Sequence, residues 1–91
     1  MLVIEWSRSA RQDLADILLF IANDNPRATR KMKVLISEAI LPAAEHPHIF
    51  RRGRGDGMHE IIVHPNYLLI YQVVAERIRV MRVLHARRRY P

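Results

Sequence analysis

Two hydrophobic periods alternate along this chain and divide it into helices and strands. Leu2-Val3-Ile4-Glu5-Trp6 is short, rich in β-branched residues and bounded by Ser7, which predicts a strand. Ala10, Leu14, Ile17, Leu18 and Ile21 fall at i, i+4, i+7, i+8 and i+11, one face of a helix, with Ser7 or Ser9 as its N-cap. That helix is expected to stop near Asn23-Asp24-Asn25. Asn25 then caps a second helix, and Pro26 suits its first turn because the missing N–H would be unpaired there anyway. Ala28, Met32, Leu35, Ile36, Ala39 and Ala43 continue the helical period, so a helical hairpin follows. Pro42 would clash with the carbonyl of Glu38 inside a helix, which predicts a kink or an end and then a loop through His46-Pro47-His48.

From Met58 onward the period shortens to two. Met58 to Val63 reads as one strand, and His64-Pro65-Asn66 as a turn. Tyr67 to Val74 is an apolar run suited to a central strand covered on both faces. Ala75-Glu76 forms a tight connection, although it lacks the Gly or Asn usual in a two-residue hairpin. Arg77 to His85 is the last strand. Strict alternation puts Ile78, Val80, Arg82 and Leu84 on one face, and Arg79, Met81, Val83 and His85 on the other. The order β-α-α-β-β-β predicts an α+β fold in one domain spanning residues 1–91. The helical hairpin is expected to lie on one face of a small antiparallel sheet that the first strand joins.

Charge changes the picture. The chain has 15 Lys+Arg against 9 Asp+Glu, a formal net charge of +6. Residues 1–50 carry six basic and six acidic groups; residues 51–91 carry nine arginines against Asp56, Glu60 and Glu76, so the surplus (9 − 3 = +6) lies entirely in the second half. A one-sided positive field draws an acidic partner, either nucleic acid or an acidic protein segment. With no cysteine there is no disulfide framework and no thiolate chemistry, and a reducing compartment is expected. The opening Met-Leu-Val-Ile-Glu-Trp does not read as a secretory signal, and no apolar stretch approaches transmembrane length.

Several constellations invite chemistry. His46-x-His48 lacks two further ligands at a sensible spacing, so no metal is expected. Gly53-x-Gly55-x-Gly57 precedes a strand where a dinucleotide fingerprint needs a helix, so no cofactor is expected. Metal-free RNA cleavage would need proton-transfer groups and cations around the phosphate. His85, Tyr90 and Glu60 are the candidates for proton transfer, and Arg51, Arg54, Arg79 and Arg82 for charge.

The order of these pieces resembles the ParE branch of the RelE/ParE toxins of bacterial toxin–antitoxin modules. The residues that carry the resemblance begin with Ile4-Glu5-Trp6-Ser7, the stretch from Phe20 to Ala28, and Gly57-Met58-His59-Glu60-Ile61-Ile62-Val63. His64-Pro65-Asn66-Tyr67 with Ile70-Tyr71, and Val83-Leu84-His85-Ala86-Arg87-Arg88, complete the set. The resemblance implies a cytoplasmic growth inhibitor silenced by a small antitoxin that wraps an extended segment around it. For ParE-type members it implies DNA gyrase as target; for RelE-type members, ribosome-dependent mRNA cleavage. The resemblance implies that nuclease members carry an arginine where this chain has Leu68, and often lysines on the strand matching Met58–Val63, where it has none. An apolar Leu68 cannot hold a phosphate.

The expectation is therefore a toxin that binds stoichiometrically, with direct nucleic-acid contact possible but not favoured. Its target contact is expected on a cationic rim made of Arg51, Arg52 and Arg54 together with His85, Arg87, Arg88, Arg89 and Tyr90. An acidic, ParD-like antitoxin segment is expected along Leu14, Leu18, Ile21, Met32, Leu35 and Arg82, in a higher-order complex. The nuclease alternative rests on His85, Tyr90, Glu60 and Arg79.

Overall fold

The computed structural model describes residues 1–86. Its elements are β1 (Val3–Trp6), α1 (Arg8–Asp24), α2 (Pro26–Ala39), α3 (Leu41–Glu45), β2 (Met58–His64), β3 (Tyr67–Val74) and β4 (Arg77–His85). The helix caps follow the residue chemistry. The Ser7 hydroxyl accepts the Ala10 N–H at 3.0 Å, and Asn25 Oδ1 accepts the Ala28 N–H at 3.2 Å. The Asn25 N–H in turn closes α1 on the Ile21 carbonyl at 2.7 Å, so one residue ends the first helix and starts the second. Pro42 does not kink a long helix. Helix α2 ends at Ala39, and Pro42 lies in the first turn of α3, where its lack of a donor is harmless.

The strands form one sheet in the order β1-β4-β3-β2. β2, β3 and β4 are an antiparallel meander, but β1 pairs with β4 in parallel (Ile4 opposite Ile78, Trp6 opposite Val80), so the sheet is mixed rather than wholly antiparallel. In a meander β4 must run the same way as β2. The edge of β2 is partly taken, because Arg52 bridges His59, the Glu60 N–H reaches the Arg51 carbonyl at 3.0 Å and the Gly53 N–H reaches the Met58 carbonyl at 2.8 Å. β1 therefore docks on β4.

The main core lies between helices and sheet. Ala10, Ile36, Ile40, Ala43, Ile61, Leu69, Tyr71, Ile78, Val80 and Val83 are buried there, with Leu14, Ile17 and Met32 packed against them. Leu68, Ile70 and Leu84 form a second buried cluster with Met58 and Met81 on the outer face of the sheet. Both faces of β3 are thus covered from Tyr67 to Tyr71, as its unbroken apolar run requires.

The faces of β4 differ from simple alternation. Ile70 pairs with Arg82 and Tyr71 with Val80, so Met81 is an extra residue in β4. This bulge exchanges the faces. Ile78 and Val80 share the helix side with Val83 and His85, whereas Arg79 shares the outer side with Arg82 and Leu84. The bulge falls where β1 ends. Beyond Trp6 the open edge of β4 is met by the start of α1: the Ser7 N–H donates to the Val80 carbonyl at 3.0 Å, and the Ser7 hydroxyl donates to the Met81 carbonyl at 2.9 Å. One turn further on, Asp13 Oδ2 accepts the Val83 N–H at 2.9 Å. Polar groups of α1 thereby continue the ladder where β1 leaves off.

Candidate functional site

Of the four groups of the nuclease alternative, the three among the described residues do not converge. Glu60 lies on the outer side of β2, where Arg51 Nε pairs with it at 2.9 Å. Arg79 is held by Glu5 of β1 at 3.1 Å, and Glu5 also takes Arg77 at 3.0 Å. His85 lies on the opposite side of the sheet from Arg79, with its ring edge-on to Tyr67 at 5.7 Å. Tyr90 lies outside the described residues. Leu68, where the resemblance implies an arginine in the nuclease members, is buried in the outer cluster.

The predicted rim also divides. Arg52 bridges His59, which pairs with Tyr71, while His85 pairs with Tyr67. Four residues of strand separate those two levels, about 13 Å, and Arg52 and β4 are three strand spacings apart. The Arg51–Arg54 loop therefore flanks the outer edge of β2, away from the end of β4. Arg87, Arg88, Arg89 and Tyr90, the rest of that rim, lie outside the described residues.

Buried aromatic groups position the basic loop. The Tyr71 hydroxyl donates to the Pro47 carbonyl at 2.7 Å, and burial pushes its phenol up to about 12. His59, itself buried, stacks on Tyr71 at 5.1 Å, and its Nδ1 lies 3.0 Å from the Phe50 carbonyl. These contacts fix both ends of the segment from Pro47 to Phe50 that leads into Arg51. His48 tilts toward His59 at 5.5 Å. Among the described residues no group of three or more His, Cys, Asp or Glu could hold a metal ion.

A groove of about 550 Å³ runs between α1 and the ends of β3 and β4. Ile17, Phe20, Tyr67 and Val83 give it apolar walls; Asp13, Asp16, Asn66 and His85 give it polar ones. Asp13 also grips Arg82, with Nε to Oδ2 at 2.7 Å and Nη2 to Oδ1 at 3.0 Å. That hydrogen-bonded pair raises the guanidinium above its ordinary range. Arg82 thus fastens the groove's lip to the sheet.

Besides Arg82, which Asp13 holds, the residues expected to meet an antitoxin fall into three settings. Leu14 and Met32 pack against the core, Leu18 and Ile21 are half-buried, and Leu35 is 43 % exposed. The helices also present Leu19 and Phe20, exposed to 66 % and 74 %, and Val34 at 50 %. Sequence reasoning passed over these three. The signal for Leu19 and Phe20 was the run Leu18-Leu19-Phe20-Ile21, which is too wide for one buried helical stripe. Among the described residues no helix is long and apolar enough to cross a membrane.

A helical hairpin on one face of a four-stranded mixed sheet matches the fold of ParE- and RelE-type toxins. Residues 4–90 match the family described as ParE toxin of type II toxin-antitoxin system, parDE, and the chain belongs to that family. It is 28% identical over 88 residues to Toxin RelE2 of Caulobacter vibrioides, covering 97% of this chain and 99% of the relative. It is 26% identical over 88 residues to Putative toxin Y4kP of Sinorhizobium fredii, covering 97% and 92%. The solved structure described as the chromosomal ParDE TA system from P. aeruginosa superposes with a TM-score of 0.82 at 19% identity, covering 93% of this chain and 96% of that one. The protein is thus a toxin of a type II toxin–antitoxin system. Its family implies an antitoxin partner, and the names of its relatives span both the ParE and the RelE branches.

Proposed function

We propose that this toxin inhibits growth in the cytoplasm by binding DNA gyrase stoichiometrically, without cutting RNA, and that a ParD-like antitoxin neutralises it. The observation that carries this reading is the commitment of the nuclease candidates elsewhere. Glu60 and Arg79 are each tied into an ion pair on the outer face, His85 lies on the helix side, and an apolar Leu68 stands where a phosphate ligand would be needed. A general acid, a general base and a phosphate clamp must share one few-ångström site, and these residues do not.

The target contact is assigned to the chain from His85 to Tyr90, with the Arg51–Arg54 loop as a separate contact along the edge of β2. The antitoxin is assigned to the groove at Ile17 and Phe20 and to the apolar helix positions Leu19 and Leu35, where an amphipathic segment would cover surface now open to water. Primer extension on translated mRNA provides the test. Absence of discrete cleavage in cells expressing the toxin is the expected result. Cleavage that disappears on His85→Ala or Tyr90→Phe would establish the RelE-like alternative.

A further inference from the structure

The outer face of α2 is cationic in a way that works against the helix carrying it. Arg27, Arg30 and Lys31 fall at i, i+3 and i+4 on the side opposite the core residues Met32 and Ile36, with Lys33 beside them; all four are exposed. Arg27 stands in the first turn, which holds no acidic residue. The last turn holds no basic one and does contain Glu38. A helix favours anions at its N-terminus and cations at its C-terminus, so both ends of α2 are charged the wrong way round for its own stability. The ion pairs among the described residues involve Arg51, Arg77, Arg79 and Arg82, and none of the four α2 cations takes part. The positive end of the helix and the three unneutralised side chains Arg27, Arg30 and Lys31 therefore add their fields on one exposed surface, with Lys33 at its margin. That surface belongs to the helical layer, across the molecule from the outer face of the sheet.

We propose that this face of α2 is a second binding surface, one that grips the phosphate backbone of duplex DNA. Its cations are spaced at about 1.5 Å of rise per residue, so Arg27 and Lys31 stand about 6 Å apart along the axis and reach neighbouring phosphates of one strand. The exposed side of a helix fits the wide major groove of B-form DNA and is excluded from the narrow one of A-form RNA. An exposed helix side suits lying along a charged rod and does not enclose a small anion. Contacts of this kind fix position without reading sequence, so binding is sequence-independent and strongly salt-dependent.

The test measures fluorescence anisotropy of a labelled mixed-sequence DNA duplex of about 20 base pairs, titrated with the full-length toxin between about 50 and 200 mM salt. Wild type is compared with Arg27→Gln/Arg30→Gln/Lys31→Gln/Lys33→Gln and with Arg51→Gln/Arg52→Gln/Arg54→Gln. The α2 variant is expected to bind at least about tenfold more weakly at low salt, with the slope of log K against log salt shallower by about 3; the loop variant retains most of the wild-type slope. The α2 variant is also expected to melt no lower than wild type, since it loses only charges that oppose the helix dipole. Wild-type binding by the α2 variant would overturn the assignment, as would equal affinity for an RNA duplex of the same sequence. A double variant, Arg27→Gln/Lys31→Gln, must fall between the two; a variant indistinguishable from wild type counts against the surface independently of the quadruple change.

Discussion

Asp13 does more than its exposed partner suggests. Its Oδ2 accepts both the Arg82 guanidinium and the Val83 N–H, and it closes the β4 edge just past the end of β1. An ion pair to a half-exposed arginine contributes little alone, whereas a backbone donor left unpaired at a covered edge costs the full desolvation of that group. Asp13→Ala is therefore expected to destabilise the fold by about 1–3 kcal/mol, and Arg82→Ala by less than about 1 kcal/mol, in urea unfolding. Equal losses would mean that the ion pair, and not the edge bond, carries the energy. Tyr71 offers a second test at this scale. Burial raises its phenol to about 12, so the folded state resists an ionisation that the unfolded chain undergoes near 10. Its contribution is intact below pH 10 and is lost as the pH rises toward 12, at roughly 1.4 kcal/mol per pH unit. Tyr71→Phe should flatten that alkaline loss while lowering stability at neutral pH by about 1 kcal/mol, through loss of the bond to Pro47.

At the level of elements, the periods in the chain located both long helices and all four strands. Ser7 and Asn25 announced the caps they provide, and Pro26 the first turn it occupies. The short helix α3 escaped because Pro42 reads equally as a helix end and as the start of a new turn. The bulge at Met81 escaped because an inserted residue leaves the period intact on either side. Its trace was the spacing of the buried residues Ile78, Val80 and Val83, two and then three. That single residue decides the site, because it moves Arg79 and His85 to opposite faces. The β3–β4 turn was flagged by what it lacked: Ala75 sits at φ 54°, a left-handed conformation that suits glycine. Ala75→Gly is expected to raise the midpoint of unfolding, by about 0.5–1 kcal/mol in stability, with no change in toxicity. A loss of stability would show that the Ala75 methyl contributes packing that outweighs the strain.

For the molecule as a whole, the family and the layer architecture were legible in the sequence, while the grouping of its arginines was not. Charge counting located a surplus in residues 51–91, but strand register separates the Arg51–Arg54 loop from the end of β4. Register is set by pairing across the sheet, which composition does not encode. The exposed pair Leu19 and Phe20 belongs to this scale too. Phe20→Glu is expected to leave the fold and toxicity intact while weakening capture by the antitoxin at least about tenfold, measured by titration calorimetry, since it puts a charge where an apolar segment must dock. Unchanged affinity would move the antitoxin off this groove. The central claim is inhibition by occupancy without cleavage, and it is tested most directly by titrating purified toxin into a DNA gyrase supercoiling assay. Inhibition should saturate as toxin reaches equivalence with enzyme, be relieved by antitoxin, and vanish when Arg87, Arg88 and Arg89 are changed to Glu. Undiminished supercoiling at a large excess of folded toxin would contradict it.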